Sequence, residues 1–219
     1  MRTYKIALIR VVTLENEILL NKHAEILENY FPEYEFESFC IPDQKNGIFS
    51  EKSHLKSIPK IIELAKDISD KFDGILVSCA ADPAVEELKR ELDIVVEGAG
   101  KAASLISLNY SNKIGVVGMG DYKLNTIIET LGENLVAYRL MGNINNTHDF
   151  GTAASKKFIK SVLKELKDAG AEAIILACTG MSALEITGKL SKELSITVID
   201  PLLSAAVMLK SQLILRELE

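Results

Sequence analysis

The sequence predicts an α/β fold: two domains related by a pseudo-twofold axis, each a parallel sheet of about four strands flanked by helices. Three observations predict it. First, apolar runs of strand length alternate with helical patterns along the whole chain, as expected of parallel strands buried on both faces. Second, the two halves look like copies. Lys5-Ile6-Ala7-Leu8-Ile9 is echoed by Lys113-Ile114-Gly115-Val116-Val117, and Asp93-Ile94-Val95-Val96-Glu97 by Ser195-Ile196-Thr197-Val198-Ile199-Asp200. Each of the latter runs leads to an Ala-Ala pair, Ala102-Ala103 and Ala205-Ala206. This is a single duplication, because solenoid repeats are much shorter. Third, a buried strand-like run in each half ends in a cysteine: Gly74–Ser78 delivers Cys79, and Ala173–Ala177 delivers Cys178.

The elements follow in order. Residues 4–12 form a first strand. Residues 15–30 carry Ile18, Leu19, Leu20, Ile26 and Leu27 at helical spacing, and Pro32 ends that helix. A strand near 34–39 precedes a polar segment from Ile41 to Ser57. Pro59 suits a helix start, with Ile61, Ile62, Leu64, Ala65 and Ile68 on one face. Strand 73–78 leads to Cys79, and Pro83 opens a helix with Val85 and Leu88 inward. A strand at 94–96 and a helix near 99–108 close the first half. The second half repeats the order: strand 113–118, helix 121–131, strand 135–140, polar loop 142–150, helix 152–169, strand 172–177, helix 181–193, strand 196–199 and helix 201–217. We divide the chain into a first domain, residues 1–97 with the C-terminal helix 207–219, and a second, residues 98–206. Open α/β sheets bind ligands beyond their strand ends. The pseudo-twofold axis therefore turns both cysteines toward a cleft between the domains, the expected active site.

Composition narrows the classes. The chain has 219 residues, is 47% hydrophobic and carries a net charge of −6 with acids and bases interspersed. That pattern disfavours nucleic acid and anionic membrane as partners, and no apolar run is long enough to span a bilayer. The first residues run straight into a strand without a secretory pattern. Three cysteines, an odd number without CxxC spacing, suit free thiols in a reducing cytoplasm. The expected partner is a small-molecule substrate, and a homo-oligomer is left open. No cluster with metal-ligand spacing appears, and Gly115-Val-Val-Gly118-Met-Gly120 is wrongly spaced for a dinucleotide fingerprint. No metal and no cofactor is expected.

The residues around the two cysteines carry a resemblance. Cys79-Ala80-Ala81-Asp82-Pro83, followed by Glu87-Leu88 and Val95-Val96, resembles the first-cysteine region of hydantoin racemases. Leu176-Ala177-Cys178-Thr179-Gly180-Met181 resembles their second-cysteine region, and the Cys178-Thr179 pair also matches the amino-acid racemase branch. Over essentially its whole length the chain resembles the aspartate/glutamate/hydantoin racemase superfamily. The resemblance implies two pseudo-symmetric α/β domains, one catalytic cysteine from each, and no cofactor. Two departures stand out. The first strand leads into Ile9-Arg10-Val11-Val12-Thr13 where hydantoin racemases have Asn-Pro-Asn-Thr, and Ala80-Ala81 stand where amino-acid racemases have Asn-Thr.

The chemistry then follows. One cysteine, as thiolate, takes a proton from a carbon acid, and the other thiol reprotonates the planar carbanion from the opposite face. A thiol facing helix N–H groups should be ionised near neutral pH. Backbone N–H groups after each cysteine, at Ala80 and Gly180, with the Thr179 hydroxyl, are candidates to hold a carboxylate or ring carbonyl. Arg10 at a strand end can pair with an anionic substrate or, equally, serve an ordinary surface salt bridge. Cys40 lacks a counterpart in the repeat and reads as structural. Asp82 reads as the N-cap of the helix after Pro83, and His148 belongs to a polar loop at the cleft rim. The expected function is a cofactor-independent racemase or epimerase on a hydantoin or an amino acid, with 5-substituted hydantoins ranked above free aspartate or glutamate. Alternatives are a decarboxylase or cis–trans isomerase of the same superfamily, or a non-catalytic small-anion sensor.

Overall fold

The computed structural model describes residues 2–142 and 152–218. The first half runs β1 (Tyr4–Arg10), α1 (Glu17–Tyr30), β2 (Tyr34–Cys40), α2 (Glu51–Ile68), β3 (Gly74–Ser78), α3 (Val85–Glu91), β4 (Val95–Gly98) and α4 (Ala99–Ser107). The second runs β5 (Ile114–Met119), α5 (Asn125–Leu131), β6 (Leu135–Met141), α6 (Ala153–Asp168), β7 (Ala173–Leu176), α7 (Thr179–Ser182), α8 (Thr187–Leu194), β8 (Thr197–Ile199) and α9 (Pro201–Glu217).

Each half builds one four-stranded parallel sheet, ordered β2-β1-β3-β4 and β6-β5-β7-β8. The expected fold class holds, and the two halves share one strand order, which was not among the sequence expectations. The registers also match. Ile6 pairs with Gly74 in the first sheet and Ile114 with Ala173 in the second, so Cys79 and Cys178 each lie five residues beyond the paired position. The central strands β1, β3, β5 and β7 are apolar on both faces because helices cover both.

Two helices stitch the halves together. α9 lays Leu202, Ala205, Ala206, Leu209 and Leu213 on the first sheet's core with Tyr4, Ile6, Leu8 and Leu76. α4 contributes Ala99 and Ala102 to that core and Ala103 to the core of the second half. The Ala-Ala pairs of the repeat are thus the small residues that let these helices approach closely.

Three local expectations are corrected. Pro59 does not start a helix: α2 begins eight residues earlier, at Glu51, behind a Ser50/Ser53 capping box, and Pro59 lies inside it. It lies on the exposed side of α2, as does Leu55 one turn earlier, whose carbonyl loses its helical partner to the missing N–H. The helix expected over 181–193 is two helices, α7 and α8. The chain breaks between them at Glu185, whose φ is +52°, while Leu184 and Ile186 reach into the core. Asp82 does not cap the helix that follows it. Its carboxylate accepts the Gly100 and Lys101 N–H groups at 2.7 and 2.6 Å and so caps α4.

Candidate active site

Both thiols are delivered by the same device. A fully buried strand pins the backbone, and the chain turns sharply at its end. After β3 the Cys79 carbonyl accepts the Asp82 N–H at 3.1 Å, and Asp82 and Ala84 take positive φ. This turn sits on the N-terminus of α4. A Cβ at Gly100 would fall 2.1 Å from the Ala80 carbonyl oxygen, and one at Gly98 would fall 2.4 Å from Asp82 Oδ1. Only glycine allows that approach. After β7 the Cys178 carbonyl accepts the Met181 N–H at 3.0 Å, and Cys178 becomes the N-cap residue of the single turn α7.

The two cysteines line one cleft between the halves, which encloses about 610 Å³ including its open mouth. Ala80, Thr179, Gly180 and Arg10 line the same cleft, so all six residues expected from sequence come together. The Thr179 hydroxyl is already engaged: it donates to the Ser78 carbonyl at 3.0 Å, joining the turn after β7 to the end of β3. The Gly180 and Met181 N–H groups face the Cys178 sulfur, and the Ala81 N–H faces that of Cys79.

The sequence predicts a thiol ionised near neutral pH; burial in the cleft works against the thiolate at both positions. Burial pushes Cys79 up to about 12, against the help of the Ala81 N–H. Burial pushes Cys178 up to about 11, against two N–H groups and the Arg10 charge. The expected helix ends are weak: α7 is four residues long, and α3 starts only at Val85, beyond the turn. Asp82 is raised to about 7, because burial outweighs its two N–H bonds.

Arg10 departs from the picture of a free strand-end cation. It is 8% exposed, and its Nη1 donates to the Leu19 and Leu20 carbonyls of α1 at 2.9 and 2.8 Å. Burial lowers it to about 10, which still leaves it charged at neutral pH.

Several neighbours were missed. Ser78 lines the cleft, and its Oγ lies 2.8 Å from Nδ1 of the fully buried His23 of α1. Gly47 and Ile48, from the segment between β2 and α2, form another wall. Gln44 anchors that segment through the Gly47 and Ser53 carbonyls. Met119, Tyr122 and Leu124 supply the second-half wall. The signal for Ser78 was its place beside Cys79; no spacing pointed to His23. His148 lies outside the described residues. Cys40 sits at 3.6 Å from the Leu14 carbonyl, outside the cleft. Among the described residues no group of three or more His, Cys, Asp or Glu side chains is placed to hold a metal, and no helix is long and apolar enough to cross a membrane.

Comparison with known proteins places this cleft in context. A hydantoin racemase from Paenarthrobacter aurescens is 26% identical over 146 residues, which is 64% of this chain and 61% of that relative. The match therefore spans under two thirds of the relative's length. An allantoin racemase from Klebsiella pneumoniae superposes with a TM-score of 0.84, covering 98% of this chain and 89% of that one at 20% identity. A glutamate racemase from Bacillus anthracis superposes with a TM-score of 0.69, covering 99% and 84% at 17% identity. At such identities the likeness is one of fold. The sequence itself matches the family model for Asp/Glu/hydantoin racemase over residues 16–209, which takes in every strand of the two sheets except β1. That match spans far more than half of the sequence, and the two parallel four-stranded sheets agree with it: this chain belongs to the Asp/Glu/hydantoin racemase family.

Proposed function

We propose that the protein is a cofactor-independent racemase or epimerase that inverts an acidic C–H stereocentre, with Cys79 and Cys178 as its acid and base. One observation carries the reading: the two thiols occupy equivalent strand ends of a duplicated fold and line a single cleft. A racemase needs two proton-transfer groups on opposite faces of one carbon, and a pseudo-twofold axis supplies them.

The mechanism follows from the surroundings of each sulfur. Burial favours the protonated thiol at both positions. Turnover in either direction requires one thiolate, and Cys178 is the easier to ionise. Two N–H groups and the Arg10 guanidinium favour its anion, against a single N–H group at Cys79. Cys178 thiolate takes the proton from one enantiomer, and the Cys79 thiol returns a proton to the other face. The reverse reaction starts with the thiolate at Cys79. The sulfur–hydrogen and carbon–hydrogen bonds exchange one for one, so no oxidant or co-reactant enters.

The walls limit the substrate. Val11, Val12, Ile48, Met119 and Leu124 are apolar, and Arg10 is the cation among the described lining residues. Such a cleft suits a small carbon acid with a modest apolar part. A hydantoin ring has a more acidic ring C–H than a free amino acid and makes less demand on a high-pKa thiol. We therefore rank 5-substituted hydantoins above free aspartate and glutamate. The test is a panel of enantiopure hydantoins, allantoin and amino acids followed by loss of optical rotation, with α-proton exchange in D₂O. Solvent deuterium should enter at the stereocentre as rotation is lost. Absence of both across the panel would refute the racemase reading, whereas release of CO₂ or isomerisation of a double bond would move the chain to another branch of the family.

A further inference from the structure

We propose that Arg10 and Ser78, backed by His23, form a carboxylate-binding subsite on the first-half wall of the cleft, so that the substrate carries a carboxylate beside its reacting C–H. This deepens the racemase reading and rests on it for the reaction, but not for the binding.

The geometry starts in the sheet. Arg10 and Ser78 are register partners on the adjacent strands β1 and β3. Side chains so paired stand on the same face, and here both meet α1: Arg10 reaches the Leu19 and Leu20 carbonyls, and Ser78 reaches His23. A guanidinium has five N–H donors. Two on Nη1 serve these carbonyls. Those on Nη2 and Nε have no protein acceptor among the described residues, yet Arg10 is 92% buried by its 8% exposure and lines the cleft. Among the described residues no carboxylate offsets its charge; the ionisable groups acting on it there are the Cys40 and Cys178 thiols. A buried cation without a counter-ion is costly to keep unless something supplies the anion.

His23 sets the second donor. It is fully buried and held neutral by burial and by the neighbouring Arg10 and Lys22 charges. A neutral imidazole has one N–H. Its Nε2 is buried without a partner. A proton there would be an orphaned donor, the costlier arrangement, so the proton sits on Nδ1 and is donated to Ser78 Oγ at 2.8 Å. Ser78 Oγ is then an acceptor from His23, and its own hydrogen is free to donate into the cleft. A fork of guanidinium N–H groups beside one hydroxyl matches a planar carboxylate. Among the described lining residues a phosphate would find one cation and mainly apolar walls.

The test is calorimetric binding, without turnover, of paired ligands: hydantoin-5-acetate, N-carbamoylaspartate and phenylsuccinate, each against its amide. The wild type should bind carboxylates at least about tenfold tighter than amides, as expected when a charged partner replaces a neutral one. Arg10→Met should erase that preference, and Arg10→Lys should keep part of it. Ser78→Ala should weaken carboxylate binding several-fold while sparing the amides. His23→Asn, whose side-chain N–H can replace Nδ1, should retain the preference that His23→Leu loses. If Arg10→Met does not fold, Arg10→Lys and Ser78→Ala carry the test. No carboxylate binding better than its amide, including no binding at all, would overturn the subsite. Carboxylate-selective binding without α-proton exchange in D₂O would support the subsite and count against the racemase reading. Exchange that proceeds equally well on carboxylate and amide would do the reverse.

Discussion

At the residue scale, burial decides the charge state of the functional groups. A thiol after a strand, facing N–H groups, looks activated in sequence, but Cys79 and Cys178 stand in a cleft whose desolvation outweighs those donors. The rate should therefore follow the scarce thiolate. If Cys178 starts turnover with a pKa near 11, kcat/KM should rise about tenfold per pH unit from 7 to 9. A plateau below pH 8 would mean a thiolate already formed at neutrality. Asp82 gives a second, independent signature. Its folded pKa of about 7 lies above the unfolded value of about 3.9. Its contribution to stability is full below pH 4 and is lost as the pH rises through 7. Between pH 5 and 7 urea denaturation should show the wild type losing up to about 2 kcal/mol relative to Asp82→Asn, whose side chain does not titrate. Parallel stability curves for the two proteins would contradict this. That Cys79 and Cys178 would share a cleft was legible because a thiol at each of two matched strand ends is a local, countable pattern. His23 was not legible, because a histidine on an amphipathic helix gives no sign of which strand end it will meet; only the fold brings it within 2.8 Å of Ser78.

At the element scale, most of the chain was legible because strands buried on both faces read as unbroken apolar runs. The failures have local physical causes. Pro59 was read as a helix start, yet Ser50 and Ser53 had already capped α2. A proline is tolerated inside when the freed carbonyl faces water. The lost hydrogen bond still costs stability, so Pro59→Ala should stabilise the protein by about 1–3 kcal/mol in thermal denaturation, with the site unchanged. A lower melting temperature would show that the proline kink is needed for α2 packing. The split between α7 and α8 was not legible, because the helical pattern runs through Glu185. The break is held by tertiary bonds: Asp200, the N-cap of α9, accepts from the Ser182 hydroxyl at 2.7 Å and from that of Thr187 at 3.1 Å. The mistaken capping role of Asp82 is the same kind of error. An Asp before a Pro signals the adjacent helix, whereas the carboxylate reaches α4 across the turn.

At the scale of the whole molecule, the duplication makes the site. Each half alone offers one thiol; the pseudo-twofold arrangement makes them a pair. The halves are joined at the site itself by the Thr179 hydroxyl on the Ser78 carbonyl, and behind it by α4 and α9. Thr179→Val keeps the shape and removes that bond. It should cost about 0.5–1.5 kcal/mol of stability and loosen the relative placement of the thiols, lowering kcat more than it raises KM. An unchanged kcat would mean that α4 and α9 suffice to set the geometry. The central claim is the two-thiol mechanism, and the most direct measurement is racemisation by the single variants Cys79→Ala and Cys178→Ala, with circular dichroism to confirm folding. Each should lose at least about 100-fold in racemisation rate, while Cys40→Ala, outside the cleft, stays near wild type. Near-wild-type racemisation by either folded cleft variant would contradict the account.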